Sequence, residues 1–167
     1  MFNPVIYIGL YSPFILFILS AFFLRNTQTY LSFFSLGFLL NNALNILLKL
    51  AIKEPRPSND QKILEIAIAN GSRISFDKFG MPSGHAQNCA YCLAFITLAL
   101  NDPNITSLYI LITFISLFQR YLFNNHTIFQ LFIGLCVGLL FGFLVYNVAN
   151  KHIKGNIKHK KDDNAPV

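Results

Sequence analysis

Long apolar runs alternate with short polar breaks along this chain, and the run lengths set its class. A membrane-spanning helix needs about 20 apolar residues. Residues 4–24 form such a run, closed by Arg25. No basic segment precedes it, and it is too long for a signal-peptide core, so it reads as a retained span. A second run covers 30–50 and carries Asn41, Asn42 and Asn45. Amides at that spacing in an apolar helix are expected to face other helices rather than lipid. A third run opens at Gly84 and ends at Leu100, where Asn101-Asp102-Pro103-Asn104 marks a tight turn. The fourth covers 105–123 and is broken by Asn124-Asn125. The fifth covers 127–149, with Gly134, Gly138 and Gly142 spaced four apart on one face, where another helix can approach closely. Between the second and third runs, 52–82 is the only long polar stretch, and Pro55, Pro57, Asn70-Gly71 and Gly80 are its loop signals. Its centre, 63–69, is apolar enough for a short surface helix or a re-entrant cap. The pattern predicts an all-α fold: a polytopic membrane helix bundle of about five transmembrane helices. A single membrane-embedded domain fills 1–150, and a polar, basic tail fills 151–167.

Composition agrees. Hydrophobic residues make up 54% of the chain and charged residues 12%, against about 25% charged in a soluble domain. The net charge of +6 does not indicate nucleic acid, because the cations are not spread over a binding face. Five of them lie between Lys151 and Lys161, and most others sit in or beside three short polar motifs. A basic tail after a span suits a cytoplasmic surface and anionic membrane lipids. Cys89 and Cys92 form a C-x-x-C, but no βαβ pattern surrounds it. Together with Cys136 they read as small packing residues in spans.

The three motifs are Lys49–Pro57, Met81–His85 and Arg120–Gln130. With five spans, helix parity puts all three, and the N-terminus, on one side of the membrane. Arg25, the 101–104 turn and the tail fall on the other. Setting aside Lys49, Arg56 and Arg120, the motif side carries four Lys and Arg against six on the tail side. The tail is therefore expected in the cytoplasm, and the motifs at a lumenal or periplasmic face.

Each motif has a chemical reading. Pro55 and Pro57 stop the second helix, so Arg56 sits on a bent segment that can fold back over Lys49. The lysine offers a point charge and the arginine a planar fork for two phosphate oxygens. Ser83 is placed to cap the third helix, and Gly84 lets the backbone approach an anion at the positive helix N-terminus. His85 follows in the first turn, where it can donate a proton to a leaving oxygen. His126 and Gln130, at i and i+4, share a helix face. Gln130 can bond one ring nitrogen and leave the other as a nucleophile, while Arg120 closes around the phosphate. Taken singly, these groups could be interfacial cations, a helix cap and a polar packing cluster. Their convergence on one face favours a phosphate site.

The order Lys-x6-Arg-Pro, Pro-Ser-Gly-His, Arg-x5-His resembles the type 2 phosphatidic acid phosphatase superfamily, which includes the vanadium haloperoxidases. The resemblance spans Lys49 to Gln130, about half the chain. It implies a lipid phosphatase that needs neither metal nor cofactor. It makes His126 the nucleophile that becomes a phosphohistidine and His85 the general acid and base. Lys49, Arg56, Ser83, Gly84 and Arg120 become the phosphate-binding groups. Two positions depart from the family pattern. Gln119 replaces the usual Ser before the arginine, and Gln130 replaces an Asp that orients the histidine and offsets its charge. Another acid, such as Asp77, could make up that charge. Glu54-Pro55-Arg56-Pro57, Gly80-Met81-Pro82-Ser83 with His85-x-Gln87, and Gln130 itself resemble dolichyl diphosphatases. That branch implies a polyprenyl diphosphate substrate and, in a eukaryotic cell, the endoplasmic reticulum with a lumen-facing site. In a bacterium it implies the inner membrane.

The alternatives are phosphatidate or another lipid phosphate as substrate, and a non-catalytic membrane protein that binds lipid phosphates. A transporter fits less well, because the polar cluster lies at one edge rather than the midplane. Asn70-Gly71-Ser72, Asn104-Ile105-Thr106 and Asn125-His126-Thr127 are glycosylation triplets. Only Asn70 falls in a roomy loop on the expected lumenal side.

Overall fold

The computed structural model describes residues 4–57 and 79–152. The 63–69 segment, Asn70, Asp77 and the tail beyond His152 lie outside them. Five helices follow in order: α1 (Pro4–Leu24), α2 (Gln28–Ile52), α3 (Gly84–Leu100), α4 (Pro103–Leu122) and α5 (Ile128–His152). The described residues contain no strand, only an isolated antiparallel bridge between Pro55 and Phe79. The chain is a polytopic helical membrane bundle, as the hydropathy pattern predicts.

Four of the helices are long and apolar enough to cross a membrane. The fifth, α3, has 17 residues, about 26 Å of helix. It is the central element and packs against all four others. Only Leu98 along its length is exposed. A helix walled by protein need not match the lipid thickness, because its ends are covered by neighbours rather than hydrocarbon.

The turns are made by local chemistry. Lys53, at the end of α2, takes φ 55°, and its amide bonds Lys49 O at 3.0 Å. Asn101 ends α3 at φ 48°. Asp102 then caps α4, accepting from the amides of Asn104 and Ile105 at 3.0 and 3.2 Å, with Pro103 in the first turn. Asn124, at φ 51°, reverses the chain between α4 and α5. In α1, Pro13 has no amide for the carbonyl of Gly9. That oxygen is met instead by Ser12 Oγ at 2.9 Å and Ser116 Oγ at 3.3 Å, which are themselves 2.6 Å apart.

Two devices set the register of α3. On one side, Gly134, Gly138 and Gly142 of α5 meet it backbone to backbone. A Cβ at Gly134 would stand 2.7 Å from Ser83 O, and one at Gly142 2.8 Å from Tyr91 O. The facing side chains, Ala86, Ala90 and Ala94, repeat the same four-residue spacing. On the other side, the asparagines of α2 bond α3 as expected. Asn41 Nδ2 donates to Asn88 Oδ1 at 2.6 Å, and Asn45 Nδ2 donates to Gln87 Oε1 at 2.8 Å. Gln87 Nε2 returns to Asn41 O and Oδ1 at 3.0 and 2.9 Å. Buried amides satisfied this fully resist sliding, since any shift strands several of them. Towards the opposite end, Tyr30, Phe34, Tyr91 and Phe95 form an aromatic core. Cys89 and Cys92 are buried within it and unbridged.

Candidate active site

The end of α2, the starts of α3 and α5 and the end of α4 converge at one end of the bundle. Antiparallel alternation brings the three motifs there, and backbone pairing ties two of them together. The Pro55–Phe79 bridge closes the base of the intervening segment, and Gly80 N–H donates to Glu54 O at 2.7 Å.

A cavity of about 420 Å³ opens among these termini, lined by Lys49, Arg56, Gly84, His85, Arg120 and His126, with Leu10, Tyr11 and Phe14 of α1 completing its wall. Lys49, Arg56 and Arg120 are buried. Three buried cations in one wall repel one another, and an anion between them lowers that cost.

His126 is 3% exposed and tightly held. Its Nδ1 lies 2.9 Å from Gly80 O and 3.2 Å from Gln130 Oε1. A carbonyl cannot donate, so Nδ1 carries the proton and Nε2 keeps its lone pair. Nε2 faces Arg56 Nη1 at 3.5 Å, and the same Nη1 donates to Asn125 O at 3.3 Å. Burial, reinforced by the charges of Arg56 and Lys49, holds the imidazole well below its ordinary value, against the opposing pull of the Gln130 hydrogen bond. Its resting form is neutral.

His85 is half-buried, and its Nε2 stands between two unlike partners. Arg120 Nη2 is 2.8 Å away and can only donate; Leu10 O is 2.9 Å away and can only accept. With a proton, Nε2 donates to the carbonyl; without one, it accepts from the guanidinium. Both protonation states therefore have a partner, as a group that gives and later takes a proton requires.

One expected phosphate-binding residue lies elsewhere. Ser83 is fully buried and does not line the cavity. Its hydroxyl makes no capping bond, and its amide donates to Gln130 O at 3.2 Å. That amide joins α3 to α5 and is not presented to an anion. Gly84, the first helical residue, is the one at the wall. Gln130 stands behind the wall, against His126 Nδ1 at 3.2 Å, where the i, i+4 spacing puts it. Gln119 fits beside Arg120 because Gly9 of α1 leaves room, where a Cβ would come within 2.6 Å of Gln119 Cβ. Nothing in the sequence marks the contribution of α1, since Leu10, Tyr11 and Phe14 look like any lipid-facing residues.

A family model described as the PAP2 superfamily matches residues 30–154. The chain belongs to the PAP2 superfamily. Membership supports, at the coarse level, a phosphatase acting on lipid phosphates in membranes, and this PAP2 chain is a multi-pass membrane protein by the same family and by its apolar helices. The matched region holds every polar side chain of the cavity wall except Tyr11, and α1 lies before it. Searches of curated proteins and of solved structures return no match to this PAP2 chain.

Proposed function

We propose that the protein hydrolyses a polyprenyl diphosphate to the monophosphate, with His126 as nucleophile. The observation that carries this is the imidazole of His126, proton held on Nδ1 by two acceptors and lone pair on Nε2 turned toward Arg56 in a cationic cavity. In the first step Nε2 forms a bond to the terminal phosphorus as the bridging P–O bond breaks. His85 gives its proton to the leaving oxygen. In the second step His85 takes a proton from water, whose oxygen bonds phosphorus as the N–P bond breaks. Lys49, Arg56 and Arg120 hold the phosphate oxygens, aided by the Gly84 end of α3. Phosphoryl transfer depends on such positioning and charge stabilisation.

The polyprenyl choice rests on the resemblance carried by Glu54-Pro55-Arg56-Pro57, Gly80-Met81-Pro82-Ser83 and Gln130. The exposed apolar wall of Leu10 and Phe14 gives a prenyl chain a route from cavity to bilayer. The site would face the endoplasmic reticulum lumen in a eukaryotic cell and the periplasm in a bacterial one. A phosphate-release screen of purified protein over polyprenyl diphosphate, polyprenyl phosphate and phosphatidate tests the reading. The diphosphate should be the best substrate, and His126→Ala should abolish release. Preference for phosphatidate would replace the substrate assignment, and equal rates for wild type and His126→Ala would end the enzymatic one.

A further inference from the structure

We infer that Glu54 is a positioning residue for His126, supplying through Gln130 the negative charge that the amide itself lacks. The inference rests on His126 being the nucleophile. Gln130 is fully buried, and both ends of its amide are engaged. Nε2 donates to Glu54 Oε1 at 2.8 Å and to Pro55 O at 2.9 Å. Oε1 accepts from the amide of Thr127 at 3.3 Å and faces His126 Nδ1 at 3.2 Å. A proline carbonyl cannot donate and a backbone N–H cannot accept, so this pattern admits one orientation of the amide. Reversed, the amide would set N–H against N–H at both Thr127 and His126.

Charge then has a path. When Nε2 bonds phosphorus and Nδ1 keeps its proton, the imidazole becomes cationic among Lys49, Arg56 and Arg120. The Glu54 carboxylate lies two hydrogen bonds away, and a polarised chain carries part of its stabilisation to the ring. Glu54 and Arg56 thus serve opposite sides of one imidazole from positions two apart, Arg56 at Nε2 and Glu54 behind Nδ1. The backbone holds this arrangement. Gly80 N–H bonds Glu54 O at 2.7 Å, and a Cβ at Gly80 would stand 2.5 Å from Gln130 Oε1.

The test moves the charge from one residue to the other. Glu54→Gln, Gln130→Glu and the double variant E54Q/Q130E are compared in the full-length protein in detergent. Readouts are phosphate release from the lipid that wild type hydrolyses, melting temperature, and 15N NMR titration of His126. Glu54→Gln should lower kcat about tenfold or more, the usual scale for a group that orients a functional histidine. KM should be little changed, and the His126 titration should move to lower pH. The groups facing the ring from other elements, Lys49, Arg56, Arg120 and, across the cavity, His85 and Tyr11, are the same in each variant. Gln130→Glu alone sets two carboxylates together and should also lose activity. The double variant restores one charge and one amide but sets a carboxylate oxygen against Pro55 O, so it should recover part of the rate, which a merely structural role for Glu54 would not give. In wild type the 15N shifts should report a proton on Nδ1.

A proton on Nε2 instead would overturn the inference. So would an unchanged kcat and His126 titration in Glu54→Gln, or a folded double variant no better than either single change. Wild-type protein that releases phosphate from no lipid would count against the phosphatase reading alone, because the His126 titration still decides the link to Glu54.

Discussion

Gly138→Ala places one methyl group where α3 and α5 meet. The added Cβ would overlap the Gln87 carbonyl oxygen and stand 2.8 Å from Ala90 Cβ, where ordinary contact begins at 3.4 Å. Neither neighbour can swing aside, since one is helix backbone and the other has no rotamer. The helices must part by about 1 Å, and overpacking of that kind costs about 1–3 kcal/mol. Parting also strains the Ser83 to Gln130 backbone bond. The starts of these same two helices carry Gly84, His85 and His126, and a 1 Å misplacement of reacting groups can cost about 100-fold in rate. Denaturant titration in detergent, followed by tryptophan-independent probes such as circular dichroism, reads the stability, and phosphate release reads the rate. Leu140→Ala, on the lipid-facing side of α5, is the control and should stay within about 0.5 kcal/mol in detergent. Adding Ala90→Gly should recover part of the loss, because it removes one of the two clashes. A Gly138→Ala protein as stable and as active as the control would refute the backbone-contact account of this interface.

Arg56→Lys keeps the charge but loses the fork that reaches both the cavity and Asn125 O; a loss of about 2 kcal/mol, or about 30-fold in kcat/KM, is expected from one charged hydrogen bond, and an unchanged value would remove Arg56 from phosphate binding. The depressed His126 value carries a sign for stability. Below the ordinary imidazole value the unfolded chain binds a proton that the folded chain refuses, so stability present above that value falls as pH drops toward the folded one. Unfolding measured across this range should show that slope, and His126→Gln should flatten it. The acid limb of kcat/KM should likewise lie below the ordinary histidine value, and a limb above it would contradict a buried neutral imidazole. Asn45→Leu leaves Gln87 Oε1 without its Asn45 donor and also strips the 3.2 Å bond to Pro82 O; a destabilisation of about 1–3 kcal/mol should appear in the same titration.

Hydropathy and spacing made much of this molecule legible. Apolar run lengths located the five helices within a few residues, because span length is a local property of the chain meeting lipid. Parity alone brought Lys49, Arg56, His85, Arg120 and His126 to one end of the bundle, since antiparallel neighbours must alternate. The glycines of α5 announced a close approach, and the matching alanines at 86, 90 and 94 could have named the partner. Other features depended on how helices meet. No local pattern says that the Ser83 amide is taken by Gln130, that Leu10 O stands against His85, or that α1 walls the cavity. Glu54 carried a faint signal as the lone acid among the cations of its motif, yet its link to Gln130 exists only once Gly80 has pulled residues 54 and 80 together. Residue type and period settle which segments form the long apolar helices and at which end the polar groups gather. Interhelical register, set here by the glycine–alanine contact and the Asn41–Asn45–Gln87–Asn88 network, decides which atom bonds which, and hydrogen bonds are too short-ranged to be assigned without it.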